Sequence, residues 1–222
     1  MNGNLRLRYS KTGRARYISH LDLMATMRRA LRRAGVELKY SEGFNPHPYM
    51  SVALPLPVGS SSVCELMDIG VAADIQEDAI PGRINAVLPE GIKVLEAYAP
   101  ERKFSGIAWV EIRGALCCAA GTSLGDAERM EGCFAAERII IMKKTKRGEN
   151  EIDIAPFIKD VRMSHTSHNG EVTMSARLSA QNPSITAEDL LGVLRGGPIA
   201  LAPDYYDLSR IEVFDKDMKV FR

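Results

Sequence analysis

The chain has 222 residues, 45% of them hydrophobic and 26% charged, the composition of a soluble globular protein with length for one large domain or two small ones. No apolar run approaches the roughly 18 residues of a membrane span, and the start MNGNLRLRYSK has no apolar h-region, so a cytoplasmic protein is expected. The formal charge of +1 hides a division: residues 1–50 hold ten basic side chains against three acidic ones, or +7, and the rest hold 19 against 25. Such asymmetry points to a polyanionic partner.

In chain order, Leu5–Ser10 and Ala15–Ser19 read as strands around a Thr12-Gly13 turn. A helix starts at Ser19, with Asp22 in the place of a capping-box acid, and Gly35 ends it. Met50–Leu54 and Val63–Ile69 read as strands, Ile75–Leu88 as a helix that Pro81 and Gly82 split or delay, and Ile92–Tyr98 as a strand. That order, β-α-β-β-α-β, is the ferredoxin-like split unit. A linker follows at Ala99–Lys103. Beyond it Ile107–Arg113, Arg138–Lys143, Val172–Leu178 and Leu208–Phe214 read as strands, with helices over Leu124–Cys133 and Ala187–Arg195. The expected class is therefore α+β, as two tandem ferredoxin-like halves, 1–99 and 104–222, the second carrying an insertion at 144–168. A single larger α+β domain is the alternative.

On a helical wheel Leu23, Met24, Met27, Ala30, Leu31 and Ala34 share one arc, and Arg28, Arg29, Arg32 and Arg33 occupy the opposite one. Four outward guanidiniums, flanked by Arg6, Arg8, Lys11, Arg14, Arg16 and Lys39, suit bidentate phosphate contacts and stacking on bases. RNA is the expected partner. A membrane surface fits less well, because the apolar arc lacks an aromatic anchor and is needed by the core.

The loop Ser41–Pro48 carries Gly43, Phe44, Asn45, Pro46 and His47. Its two prolines stiffen the backbone and remove amide donors, so Phe44 either stacks a base, with Asn45 and His47 reading its edge, or plugs the core below. His20 falls on the apolar arc and reads as a core histidine, or with His47 as an acid–base pair. Asp22 reads as a cap or a nucleophile. Glu65 and Asp68 read as solvent-facing strand acids. Lys144, Lys146 and Arg147, with Lys143, form a second basic cluster that either extends an RNA track or is a solvated tip, and His165 and His168 read as exposed and idle. The cysteines Cys64, Cys117, Cys118 and Cys133 form neither a disulfide framework nor a CxxC or CxxxCxxC ligand set, and two histidines with one acid match no standard metal spacing. No phosphate loop, nucleophile elbow or zinc-protease motif occurs.

SHLDLM, RALRRAG and GFNPHP-x-M, with a looser match at KKTKRGENEIDIAPFI, give the chain its resemblance to the radical SAM-linked family, a domain of unknown function found alone or fused behind a cobalamin-binding radical SAM domain. The resemblance covers nearly the whole chain and implies an RNA-processing or RNA-modifying setting, since members sit beside genes for ribonuclease G and large-subunit ribosomal proteins. It implies an accessory half that presents tRNA or rRNA to a partner, with S-adenosylmethionine, cobalamin and an iron–sulfur cluster held by that radical SAM protein and none here. It supplies no established catalytic residue. A cofactor-independent RNA enzyme using Asp22 or His20 and His47, and a protein–protein adaptor, are the other readings.

Overall fold

The computed structural model describes residues 3–72, 76–118, 121–145, 148–166, 171–196 and 203–222. The class is α+β, as expected, and the chain divides into two compact units, Met1–Gly106 with Arg222 and Ile107–Phe221.

The first unit contains β1 (Asn4–Lys11), α1 (His20–Arg33), β2 (Met50–Val52), β3 (Ser61–Gly70), α2 (Ala79–Asn85) and β4 (Ile92–Tyr98). Its strands lie side by side as β4-β1-β3-β2, each neighbour antiparallel. Alternation along β1 turns Leu5, Leu7 and Tyr9 to one face, where they join Met67 and Ile69 of β3, Leu23, Met27, Ala30 and Leu31 of α1, and Ile80 and Ile84 of α2. Burying each of the larger side chains contributes about 1.5–3 kcal/mol. The expected strand at Ala15–Ser19 is instead a 3-10 turn over Gly13–Tyr17, with Ala15 N–H bonding Thr12 C=O and Ile18 N–H bonding Ala15 C=O. Gly13, at φ +55°, starts this coil where an extended chain would have continued. α2 starts late, at Ala79, and keeps Pro81 in its first turn, where no amide is missed.

Arg6 and Arg8 alternate to the other face of this sheet, and their roles differ from the sequence expectation. Arg6 is fully buried and clamps Asp68, its cross-strand partner, through Nε–Oδ1 at 2.6 Å and Nη2–Oδ2 at 2.9 Å. The same guanidinium donates to the Arg102 carbonyl at 2.8 Å and lies 4.3 Å from the Phe104 ring centroid. It thereby staples the segment after β4 onto the sheet. Arg8 donates to Glu96 at 3.0 Å.

The second unit runs β5 (Trp109–Cys117), α3 (Leu124–Gly132), β6 (Ile140–Thr145), β7 (Gly148–Asp153), β8 (Ile158–His165), β9 (Glu171–Ser179), α4 (Ala187–Gly196) and β10 (Tyr205–Phe214). Four strands lie in the order β10-β5-β9-β8, and β6 with β7 makes a separate hairpin. Two expectations change here. The strand anticipated at Arg138–Lys143 belongs to the hairpin, and a main-sheet strand, β8, lies inside the anticipated insertion 144–168. Asp160, at φ +51°, marks a register shift between Lys159 and Arg162, so Ile158, Val161 and Met163 are buried without a strict period of two. Among the described residues no helix is long and apolar enough to cross a membrane.

Removing Arg6 leaves Asp68 without its counter-charge in a mostly dry site. Arg6→Met is expected to lower the unfolding free energy by about 2–3 kcal/mol, the lower end because Asp68 keeps 28% side-chain exposure. A urea titration reads this as a lower midpoint with an unchanged slope.

Candidate nucleic-acid interface

Helix α1 starts at a well-formed cap. Ser19 Oγ accepts the Asp22 amide at 3.1 Å and donates to Asp22 Oδ2 at 2.7 Å. Its far end is a Schellman closure: Val36 N–H reaches Leu31 C=O at 2.9 Å, Gly35 N–H reaches Arg32 C=O at 3.1 Å, and Gly35 sits at φ +68°. Arg83 of α2 donates to the Ala34 and Gly35 carbonyls at 2.9 and 3.0 Å, placing a cation on the negative end of the helix.

Between these ends Leu23, Met27, Ala30 and Leu31 are buried, and Arg28, Arg29, Arg32 and Arg33 are exposed, as the wheel predicts. Arg33 donates to the Val87 carbonyl at 2.6 Å. Arg28, Arg29 and Arg32 have no hydrogen-bond or ion-pair partner among the described residues, and neither does exposed Arg14 in the 3-10 turn. Arg16 is half-buried, donates through Nε to the Gly59 carbonyl at 2.6 Å and braces the turn.

Several charges counted in the sequence lie elsewhere. Besides Arg6 and Arg8, Lys11 is 2% exposed and donates to the Arg16 and Ile18 carbonyls, both at 3.2 Å, so it fixes the turn that delivers the chain to Ser19. Glu65 is buried and acts electrostatically on Lys11, so it is not a solvent-facing acid, and Asp68, half-buried, is held by Arg6. Each was masked by the same fact: alternation assigns a residue to a face but not what covers that face.

The loop after α1 is braced from inside. Ser41 N–H bonds His47 C=O at 2.9 Å, His47 N–H bonds Ser41 Oγ at 3.1 Å, and Ser41 Oγ lies 3.0 Å from His47 Nδ1. A Tyr40–Pro48 bridge and a bond from Tyr49 N–H to Lys39 C=O, 2.9 Å, close its base, and Gly43 turns at φ +115°. Phe44, Asn45, Pro46 and His47 are all exposed, and Phe44, at 112%, plugs nothing. Tyr40 and Tyr49, absent from the sequence-derived set, leave about half their surface open at the loop base (49% and 48%). Their signal in the sequence is their place on either side of the Gly-Pro turn chemistry.

His20 is the first residue of α1 and is exposed, not a core histidine. It shares the apolar arc but lies three residues before Leu23, the first buried residue of the helix. No hydrogen bond or ion pair joins His20, Asp22 and His47, and the Asp22 carboxylate is taken up by the cap. In the second unit Lys143 is held by Asp189 at 2.7 Å and by the Ser184 carbonyl at 2.6 Å, and Lys144 lies opposite Glu149 in the hairpin. Lys146, Arg147 and His168 lie outside the described residues. His165 is not idle: its Nε2 meets the Thr122 carbonyl at 2.8 Å. All four cysteines are free, and the described residues contain no group of three or more His, Cys, Asp or Glu able to hold a metal ion.

A family model matches residues 4–186, which include α1, its cap and the loop. The chain belongs to the family described as "Uncharacterized protein conserved in bacteria (DUF2344)". No curated protein matches. A crystal structure of an unknown protein from Galdieria sulphuraria is similar over 95% of this chain and 99% of that one, at 11% identity and a TM-score of 0.27.

Burial lowers the Lys11 ammonium below its ordinary 10.5, and Glu65 opposes that shift. The folded chain therefore holds this proton more weakly than the unfolded chain, so unfolding takes one up, and the residue's contribution to stability rises with pH across the window below 10.5. The stability of the parent relative to Lys11→Met is expected to rise as pH is raised from neutrality toward 10.5, measured by urea unfolding at each pH.

Proposed function

We propose that this protein is an RNA-binding accessory factor that presents tRNA or rRNA to a cobalamin-dependent radical SAM enzyme of RNA modification. The observation that carries the RNA reading is a row of unneutralised guanidiniums, Arg28, Arg29 and Arg32, on a chain that continues into a braced loop displaying Phe44. Phosphates need the fixed positive row, and a base needs the bare ring. Asn45 and His47, exposed on the same loop, offer polar groups for a base edge, and Tyr40 and Tyr49 at the loop base leave further aromatic surface open. The radical SAM partner, with its S-adenosylmethionine, cobalamin and iron–sulfur cluster, rests on the motif resemblance alone. We also infer that each unit is a ferredoxin-like split β-α-β-β-α-β, supported by the shared neighbour order of last, first, third and second strand.

The proposal is tested by anisotropy titration of fluorescent RNA identified by crosslinking and sequencing in cells. The double variant Arg29→Ala/Arg32→Ala is expected to bind about tenfold or more weakly and to lose roughly 1.4 from the slope of log K against log salt on single strands, about 0.7 per phosphate contact. Phe44→Ala is expected to cost about 1–3 kcal/mol of affinity with the slope unchanged. Parent-like binding by both variants would remove the RNA reading.

A further inference from the structure

The hairpin of the second unit has an apolar edge without a strand beside it. β6 pairs with β7, and among the described residues no other strand pairs with either. The bond from Ile154 N–H to Ile139 C=O, with the register Ile141↔Ile152 and Lys143↔Asn150, sets which backbone groups point inward. By the alternation of antiparallel pairs, the amides and carbonyls of Ile140 and Met142 point away from β7. Their side chains are 47% and 59% exposed. An edge of this kind is ordinarily short, charged or covered, and here it reads Ile139-Ile140-Ile141-Met142.

Beside the strand lies a groove of about 600 Å³, walled by residues 139–142 and by Glu188, Asp189, Gly192, Val193 and Gly196 of α4. Gly192 and Gly196 are four apart, on one helix face, and a Cβ built at either meets nothing within 4 Å. Of the acids at the groove, Asp189 is held by Lys143 and Glu188 by Arg195, while Glu151, opposite Met142, has no partner among the described residues and is the open negative charge beside the strand.

We propose that this groove takes an extended segment of a protein partner, with alternating apolar and basic residues, as a strand added to the outer edge of β6. Unsatisfied backbone groups along one line call for another backbone, which a helix or a compact small molecule does not offer. Apolar side chains of the added strand enter toward Gly192, Val193 and Gly196. Alternate lysine or arginine stems cover Ile140 and Met142 while their charged ends reach toward Glu151.

A fluorescein-labelled, end-blocked peptide of alternating valine and lysine, titrated into the full chain, tests this, with a valine–glutamate peptide as control. The basic peptide is expected to bind, the acidic one about tenfold or more weakly, and hydrogen exchange to slow at the Ile140 and Met142 amides. Met142→Pro removes an outward amide without a bond to β7, and Gly192→Leu puts bulk on the groove floor, where a Cβ meets nothing within 4 Å; each is expected to weaken binding about tenfold or more with near-parent melting. The proposal is overturned if the basic peptide does not bind, or if it binds both variants as it binds the parent. It is overturned equally if the parent self-associates through this edge, seen as a dimer in sedimentation that Met142→Pro abolishes, or if RNA protects the same two amides.

Discussion

The seating of α1 on its sheet is the constraint from which the candidate interface follows. Leu23, Met27, Ala30 and Leu31 leave water together, at about 1.5–3 kcal/mol for each of the larger side chains. A rigid helix that buries one arc must present the opposite one, so Arg28, Arg29 and Arg32 have no inward option. Like charges at i and i+4, as in Arg28–Arg32 and Arg29–Arg33, cost about 0.2–0.5 kcal/mol each. The core absorbs that cost easily. Arg32 and Arg33 in the last turn also gain from the helix dipole, by about 0.3–1 kcal/mol. Arg28 and Arg29 sit mid-helix and gain nothing of the kind, which makes them the more telling pair.

The buried cations serve a different purpose. Arg6 ties β1 to β3 and to the segment carrying Phe104, and Lys11 ties β1 to the turn that hands the chain to Ser19. Neither meets solvent, yet both hold in place the elements from which the exposed arginines project. A patch of positive sequence thus divides into a structural set within the unit and an exposed set on its surface. The boundary between them is drawn by what lies across each residue: a carboxylate, a carbonyl, or water.

The loop illustrates how far local chemistry reaches. Gly43, Pro46 and Pro48 are enough to predict a stiff, exposed turn, because glycine and proline restrict the backbone whatever surrounds them. The Ser41–His47 brace and the tyrosines at the base were not legible, since they depend on two chain segments meeting across the turn. The second unit shows the opposite case. Asp160 interrupts the alternation of β8, so a main-sheet strand hid within an expected insertion, while the regular Arg138–Lys143 segment belongs to a hairpin.

The α+β class, the limits of α1, its cap at Ser19 and its split into apolar and basic arcs were determined by the sequence alone. All rest on residue spacing and on intrinsic preferences that operate over a few neighbours. Tertiary structure alone decided which cations are dry, that His20 is exposed, that Asp22 is occupied by its cap, and that among the described residues β6 has no strand on its outer edge beside a glycine-lined groove. Those outcomes depend on contacts between residues far apart in the chain, and no local pattern encodes which distant surface comes to rest against a given side chain.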